Sequence, residues 1–151
     1  MRLQTMVLTA AIIVLPVCFC GCETEAHPPP TRDETIPAAT AKVTPDSDAH
    51  PPVLHSNEFM PPEPIAGELN TAGAEDSAFV LPDGNTLYFW FTPDVRIPPE
   101  QQALDGVTGI YVSNLVGGEW SEPARIALQE AGKVSLDGCV FVRGDEMWFC
   151  S

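Results

Sequence analysis

Five cysteines, three histidines and a scatter of carboxylates are the side chains in these 151 residues that could carry chemistry. Cys139 and Cys150 flank the closing stretch "CVFVRGDEMWFCS", which reads as two apolar strands around a turn. With Gly144-Asp145 as a two-residue turn, Arg143 faces Glu146. Counting outward sets Cys139 opposite Cys150 at a hydrogen-bonded position, with Cα atoms about 5.5 Å apart. That separation permits a disulfide, and two buried thiols are the alternative. Glu75, Asp76, Asp83, Asp105, Asp137 and Asp145 offer carboxylates for Ca²⁺ or for glycoside acid/base work, the latter requiring a close pair in a pocket. Asp83 and Asp145 stand where turns form, and Asp76 and Asp137 recur at matching places, which points to a structural role such as capping loop amides. His27, His50 and His55 follow no spacing with a fixed ligand geometry. HExxH, GxSxG, P-loop and dinucleotide motifs do not occur. The pattern calls for no cofactor, no metal and no catalytic residue, and it leans away from an enzyme.

The remaining cysteines cluster in "VCFCGC" behind an apolar run from Met6 to Val17 that is preceded by Arg2. Such a run falls short of the ~20 residues that span a bilayer and has the form of an export signal. Cys22 follows the small Gly21, whereas Cys18 and Cys20 follow Val17 and Phe19. Residues 1–21 resemble a bacterial lipoprotein signal peptide with its lipobox, and Phe19 stands where that pattern prefers Leu. The resemblance implies lipidation at Cys22, a membrane partner through the lipid anchor, and residence in the bacterial cell envelope as a periplasmic or cell-surface lipoprotein. An ordinary secretory signal cut nearby is the alternative. Several acyl chains anchor stably, since each buried CH₂ contributes ~0.8 kcal/mol.

Residues 22–64, from Cys22 to Pro64, are rich in Pro, Thr, Ala and acid and poor in large apolar residues. A segment of that kind cannot offset its ordering entropy by burial, so it reads as a disordered, acidic Pro-rich tether biased to polyproline II. The net charge of the whole chain is −14. Phosphate backbones would be repelled by it, which argues against nucleic acid as a partner.

Residues 65–151 change character to short β-branched and aromatic runs separated by Gly, Pro, Asn and Asp, the pattern of strands joined by turns. Ser77–Leu81 and Thr86–Phe91 flank "PDGN", in which Gly84 supplies the positive φ of a tight turn. Thr108–Ser113 and Glu122–Leu128 follow, completing a four-stranded antiparallel meander. The Thr92–Gly106 insertion is expected to hold a helical turn around Glu100–Leu104. Leu87-Tyr88-Phe89 superposes on Met147-Trp148-Phe149, placing Gly84 over Gly144 and Asp76 within one position of Asp137, so the closing stretch reads as the first hairpin of a second copy. Both faces of these strands are apolar, as in a sheet sandwiched between neighbours.

"EDSAFVLPDGNTLYF" followed by "GIYVSNLVGGEWSEPARIAL" resembles the WD40-like β-propeller repeats of the TolB type. Matching positions are Pro82, Asp83, Gly84, Leu87, Tyr88, Phe89, Ile110, Tyr111, Val112, Trp120, Ser121 and Pro123. Leu81 replaces the family's Ser, and Val142-Arg143-Gly144 stands where Pro-Asp-Gly would recur. The resemblance implies an all-β fold of β-propeller blades, about one and a half of them, making an incomplete propeller after the tether. Asp76, Pro82, Asp83, Gly84, Tyr88, Trp120, Asp137 and Gly144 would be its repeat-motif residues. A closed propeller needs at least four blades, so the chain is expected to be the N-terminal portion of a longer protein, with closure by homo-oligomerisation as the alternative. Trp90, Trp120 and Trp148 are expected in blade cores. The expected function is a lipid-anchored binding or scaffold module for protein or glycan. The alternative is an exported glycan-active enzyme with catalytic carboxylates in the insertion or outside this chain.

Overall fold

The computed structural model describes residues 30–130 and 132–151. A short helix α1 (Arg32–Thr35) precedes strands β1 (Ala74–Val80) and β2 (Thr86–Thr92), and helix α2 (Pro99–Gln102) precedes β3 (Gly109–Val116), β4 (Glu119–Trp120) and β5 (Ala124–Ile126). A second hairpin, β6 (Gly138–Arg143) and β7 (Glu146–Cys150), closes the chain. The fold is mostly β, an antiparallel sheet curled into half a barrel. Among the described residues no helix is long and apolar enough to cross a membrane.

The β1–β2 hairpin forms where "FVLPDGNTLYFWF" places β-branched and aromatic residues on both sides of a turn. Leu81 N–H donates to Thr86 O at 2.9 Å and Gly84 N–H to Leu81 O at 2.9 Å. Asp83 caps the bend by accepting the Asn85 amide at 2.9 Å, and Gly84 takes φ 72°, a conformation that costs a residue with a Cβ. β3 pairs with β2 from Thr86↔Asn114 to Phe91↔Gly109. The fourth position is split: β4 pairs with Leu115 and Val116, and β5 pairs with Ile110, Tyr111 and Val112. Between them Ser121 bridges to β3 through its amide to Asn114 O at 2.9 Å and its carbonyl from Ser113 Oγ at 2.6 Å. Pro123 has no N–H to donate and interrupts the ladder. The strand expected over Glu122–Leu128 is therefore only three residues long.

Alternation along β2 gives the sheet two apolar faces. On one face Leu87, Phe89 and Phe91 join Leu69, Val107 and Tyr111 in the buried core, with Phe91 fully shielded. Each such side chain contributes about 1.5–3 kcal/mol by leaving water. On the other face Trp90 pairs with Ile110 and Tyr88 with Phe79. The β6–β7 hairpin covers part of that face: Gly138 lies against the Trp90 indole, and the Phe79 and Phe141 rings meet edge to face with centroids 5.2 Å apart. The second hairpin thus shields part of the face opposite the core, where Tyr88 and Trp90 stay half-buried.

The insertion forms its helical turn at α2, two residues earlier at its C-terminal end than the expected Glu100–Leu104. Gln102 is buried and donates from Nε2 to Ile97 O at 2.7 Å.

Candidate functional site

The most developed polar site is built around a residue from the expected tether. α1 contributes one buried residue, Arg32, which is 5% exposed. Its guanidinium carbon lies 5.4 Å from the Phe89 ring centroid, 5.3 Å from that of Phe91 and 5.5 Å from that of Tyr111. Those distances fall within cation–π range. Arg32 Nη1 donates to Leu69 O at 3.3 Å and faces Glu75 Oε1 at 3.5 Å, and Nη2 donates to Glu68 O. Arg32 Nε is buried without a hydrogen-bond partner among the described residues. The rest of α1 is stitched locally: Glu34 Oε2 accepts the Thr31 amide at 2.8 Å, and that bond holds the Glu34 carboxyl below its usual range.

The supports of this cage lie far along the chain. Glu75 is fixed by the turn before β1, accepting the Thr71 amide at 3.1 Å and the Thr71 hydroxyl at 2.6 Å. Gly73 closes the same turn, its amide donating to Thr71 Oγ1 at 3.0 Å. Phe89 and Phe91 come from alternate positions of β2. Tyr111, on β3, stacks on Phe89 at 5.9 Å and meets Phe91 edge-on at 5.7 Å. The Tyr111 hydroxyl donates to Val107 O at 2.7 Å, and burial pushes its pKa up to about 12. Arg125, opposite Tyr111 in the ladder, is committed elsewhere, donating from Nε and Nη2 to Thr108 O at 3.3 and 3.0 Å.

The residues singled out in the sequence are dispersed. Cys22 lies outside the described residues. Pro82, Asp83 and Gly84 form the first turn, and Gly144 the second with φ 64°. Tyr88 and Trp120 are half-buried, Trp120 against the core cluster. Trp148 is 62% exposed, so among the described residues it is not core. Asp76 accepts the next residue's amide, Ser77, at 2.6 Å, and Asp137 is buried. The loop-capping role falls instead to Asp105, which accepts the amides of Val107 and Thr108 and the Thr108 hydroxyl at 2.6–2.7 Å. In the same insertion Asp94 binds Arg96 at 2.7 and 2.8 Å, which lowers the carboxyl's pKa and raises the guanidinium's. His50 and His55 are exposed, and His27 lies outside the described residues. Among the described residues no three His, Cys, Asp or Glu side chains converge as metal ligands would.

Cys139 and Cys150 require a correction. Arg143 does face Glu146, but a bulge between Gly138 and Phe141 adds one residue to β6, so Gly138, not Cys139, stands opposite Cys150. Both thiols are free and exposed. Cys139 sits in the bulge at φ 54°.

That bulge has a counterpart. β1–β2 pairs Asp76↔Trp90, Phe79↔Tyr88 and Val80↔Leu87, with its own shift between Asp76 and Phe79. β6–β7 pairs Gly138↔Cys150, Phe141↔Trp148 and Val142↔Met147 in the same pattern. Ser77, at φ 53°, corresponds to Cys139. The hairpins also touch at equivalent residues, Phe79 on Phe141 and Ser77 Oγ at 3.8 Å from Cys139 Sγ. By this register the residue matching Asp137 is Glu75, one position from the expected Asp76. Nothing in the residue types announces a positive φ at Ser77 or Cys139, and a lone arginine in a Pro-rich stretch carries no local signal of burial.

No known protein family, curated protein or solved structure matches this chain.

Proposed function

We propose that this chain is a lipid-anchored, extracytoplasmic β module of the propeller type that binds a protein or glycan, with Cys22 as its anchor. The observation that carries the reading is the hairpin built twice, with the same bulge and register, and stacked on itself at equivalent residues. Repeated sheets meeting like on like are how propellers and solenoids extend a core, and such architectures act through surfaces and not through one shared chemistry. The second hairpin leaves Phe141, Trp148 and Phe149 between 41% and 62% exposed. Phe141 and Trp148 are cross-strand partners on one face, and exposed aromatics so placed suit an apolar protein segment or the ring face of a sugar. The carboxylates Asp94 and Asp105 are occupied by their own loop, which favours binding over turnover.

Docking of Arg32 also divides the tether. Thr31 lies about ten residues from Cys22, a reach of at most ~35 Å, so a docked arm keeps the sheet close to the anchor. The test is metabolic palmitate labelling of the full chain in a bacterial host, beside Cys22→Ser. Label and membrane retention that both depend on Cys22 are expected, and a chain that fractionates or labels identically without Cys22 contradicts the anchor.

A further inference from the structure

We propose that the cage of Phe89, Phe91, Tyr111 and Glu75, with the carbonyls of Glu68 and Leu69, is a guanidinium-binding site. The chain's own Arg32 fills it by default, and the arginine side chain of a basic peptide takes it by exchange. The inference rests on the cage geometry and is independent of the lipid anchor.

The site has what a planar, delocalised cation needs. Three aromatic rings lie 5.3–5.5 Å from the guanidinium carbon, and three oxygens accept its two terminal nitrogens. A guanidinium presents its donors in one plane and stacks on aromatic faces, and its weak hydration lowers the cost of burial. A lysine ammonium is compact and strongly hydrated, and it cannot reach three spread acceptors while lying against the rings. The geometry also favours preorganisation, because two bonds from Thr71, neither involving Arg32, hold the Glu75 carboxylate.

Three features make the arm a replaceable occupant. Arg32 is the only buried residue of α1, with Ile36 behind it only partly buried against the core. Among the described residues its Nε has no hydrogen-bond partner, so an arginine peptide that brings an acceptor for its own Nε competes at an advantage. The arm is acidic at Asp33 and Glu34, in a chain of net charge −14. A basic peptide is drawn to such a surface, whereas the arm is not. Access is open beside the cage, where a cleft of about 410 Å³ is lined by Thr31, Tyr111, Glu122, Pro123 and Arg125.

The experiment uses the full chain carrying Arg32→Ala and a blocked peptide of residues 30–36, alongside versions with lysine or alanine in place of its arginine. Binding is read from Trp120, which packs against the core cluster. Saturable binding of the arginine peptide, about tenfold or more tighter than the lysine peptide and absent for the alanine peptide, is expected. Equal binding of the three, or none, overturns the proposal. Should Arg32→Ala fail to fold, the wild-type chain decides the matter. Amide hydrogen exchange across residues 30–36 is followed with an excess of a short Gly/Ser peptide bearing one arginine, or its lysine counterpart at equal ionic strength. Faster exchange with the arginine peptide alone supports exchange at the cage, and an unchanged rate, or the same rate with both, overturns it.

Discussion

Replacing Gly73 by Ala tests how tightly the cage and the first hairpin are joined. A Cβ at this position would stand 2.6 Å from Phe91 Cε2, 3.1 Å from Phe91 Cζ and 3.0 Å from Thr92 O. Ordinary contact begins near 3.4 Å, so the ring would have to retreat by almost an ångström or the turn would have to open. Phe91 cannot retreat cheaply: it is fully buried, with Tyr111 edge-on at 5.7 Å and the Arg32 guanidinium at 5.3 Å. Thr92 O belongs to the backbone of β2 and is held by the sheet. Overpacking of this sort costs about 1–3 kcal/mol, and the backbone clash places Gly73→Ala at the upper end, about 2–3 kcal/mol. Gly84→Ala is the control. Nothing lies within 4 Å of its added Cβ, and only the φ of 72° resists, costing about 1–2 kcal/mol. Urea denaturation of the full chain, with m unchanged, measures both. A loss below about 0.5 kcal/mol for Gly73→Ala would refute the close approach of the turn to Phe91, and with it the support of Glu75.

Three further outcomes follow from the same geometry. The Tyr111 phenol is pushed from its ordinary 10.0 up to about 12; the folded state then holds the proton more tightly, so its contribution to stability is complete below pH 10 and is lost as pH rises towards 12. Denaturation midpoints across that window should fall in the wild type and flatten in Tyr111→Phe. Asp105→Ala strands the buried Val107 and Thr108 amides and should cost about 2–4 kcal/mol by the same urea assay, while full retention of stability would contradict the loop cap. At Cys139, φ 54° disfavours any β-branched side chain; Cys139→Val should lose about 1–2 kcal/mol and Cys139→Gly should be neutral or slightly stabilised, and the reverse order would place the bulge elsewhere.

The hairpins were legible because their signals are local. "PDGN" and "RGDE" carry turn residues with glycine at the positive-φ position, and the aromatic and β-branched runs beside them can only be strands. The match of Leu87-Tyr88-Phe89 to Met147-Trp148-Phe149 survives in the structure as an identical pairing pattern, although the bulge moves each first strand by a residue. A bulge built on glycine would show in the residue types, but these bulges hold Ser77 and Cys139 at positive φ, and the Cys139–Cys150 register failed for that reason. Arg32 was illegible on the same grounds. Its partners lie 36 to 79 positions away at Glu68, Leu69, Glu75, Phe89, Phe91 and Tyr111, and composition places it in a segment too polar to fold by itself. The burial that stabilises the arm belongs to the sheet. The short β5 was foreseeable in part, since Pro123 stands inside the expected strand.

The most direct test of the binding-module reading is site-specific photo-crosslinking in the bacterial envelope, with a photoreactive residue at Trp148 in the full chain and, as control, at exposed Lys133. One discrete adduct to a protein or glycan, formed from position 148 and absent from position 133, is the expected result. The same adducts from both positions, or none from position 148, would contradict a recognition surface on the second hairpin.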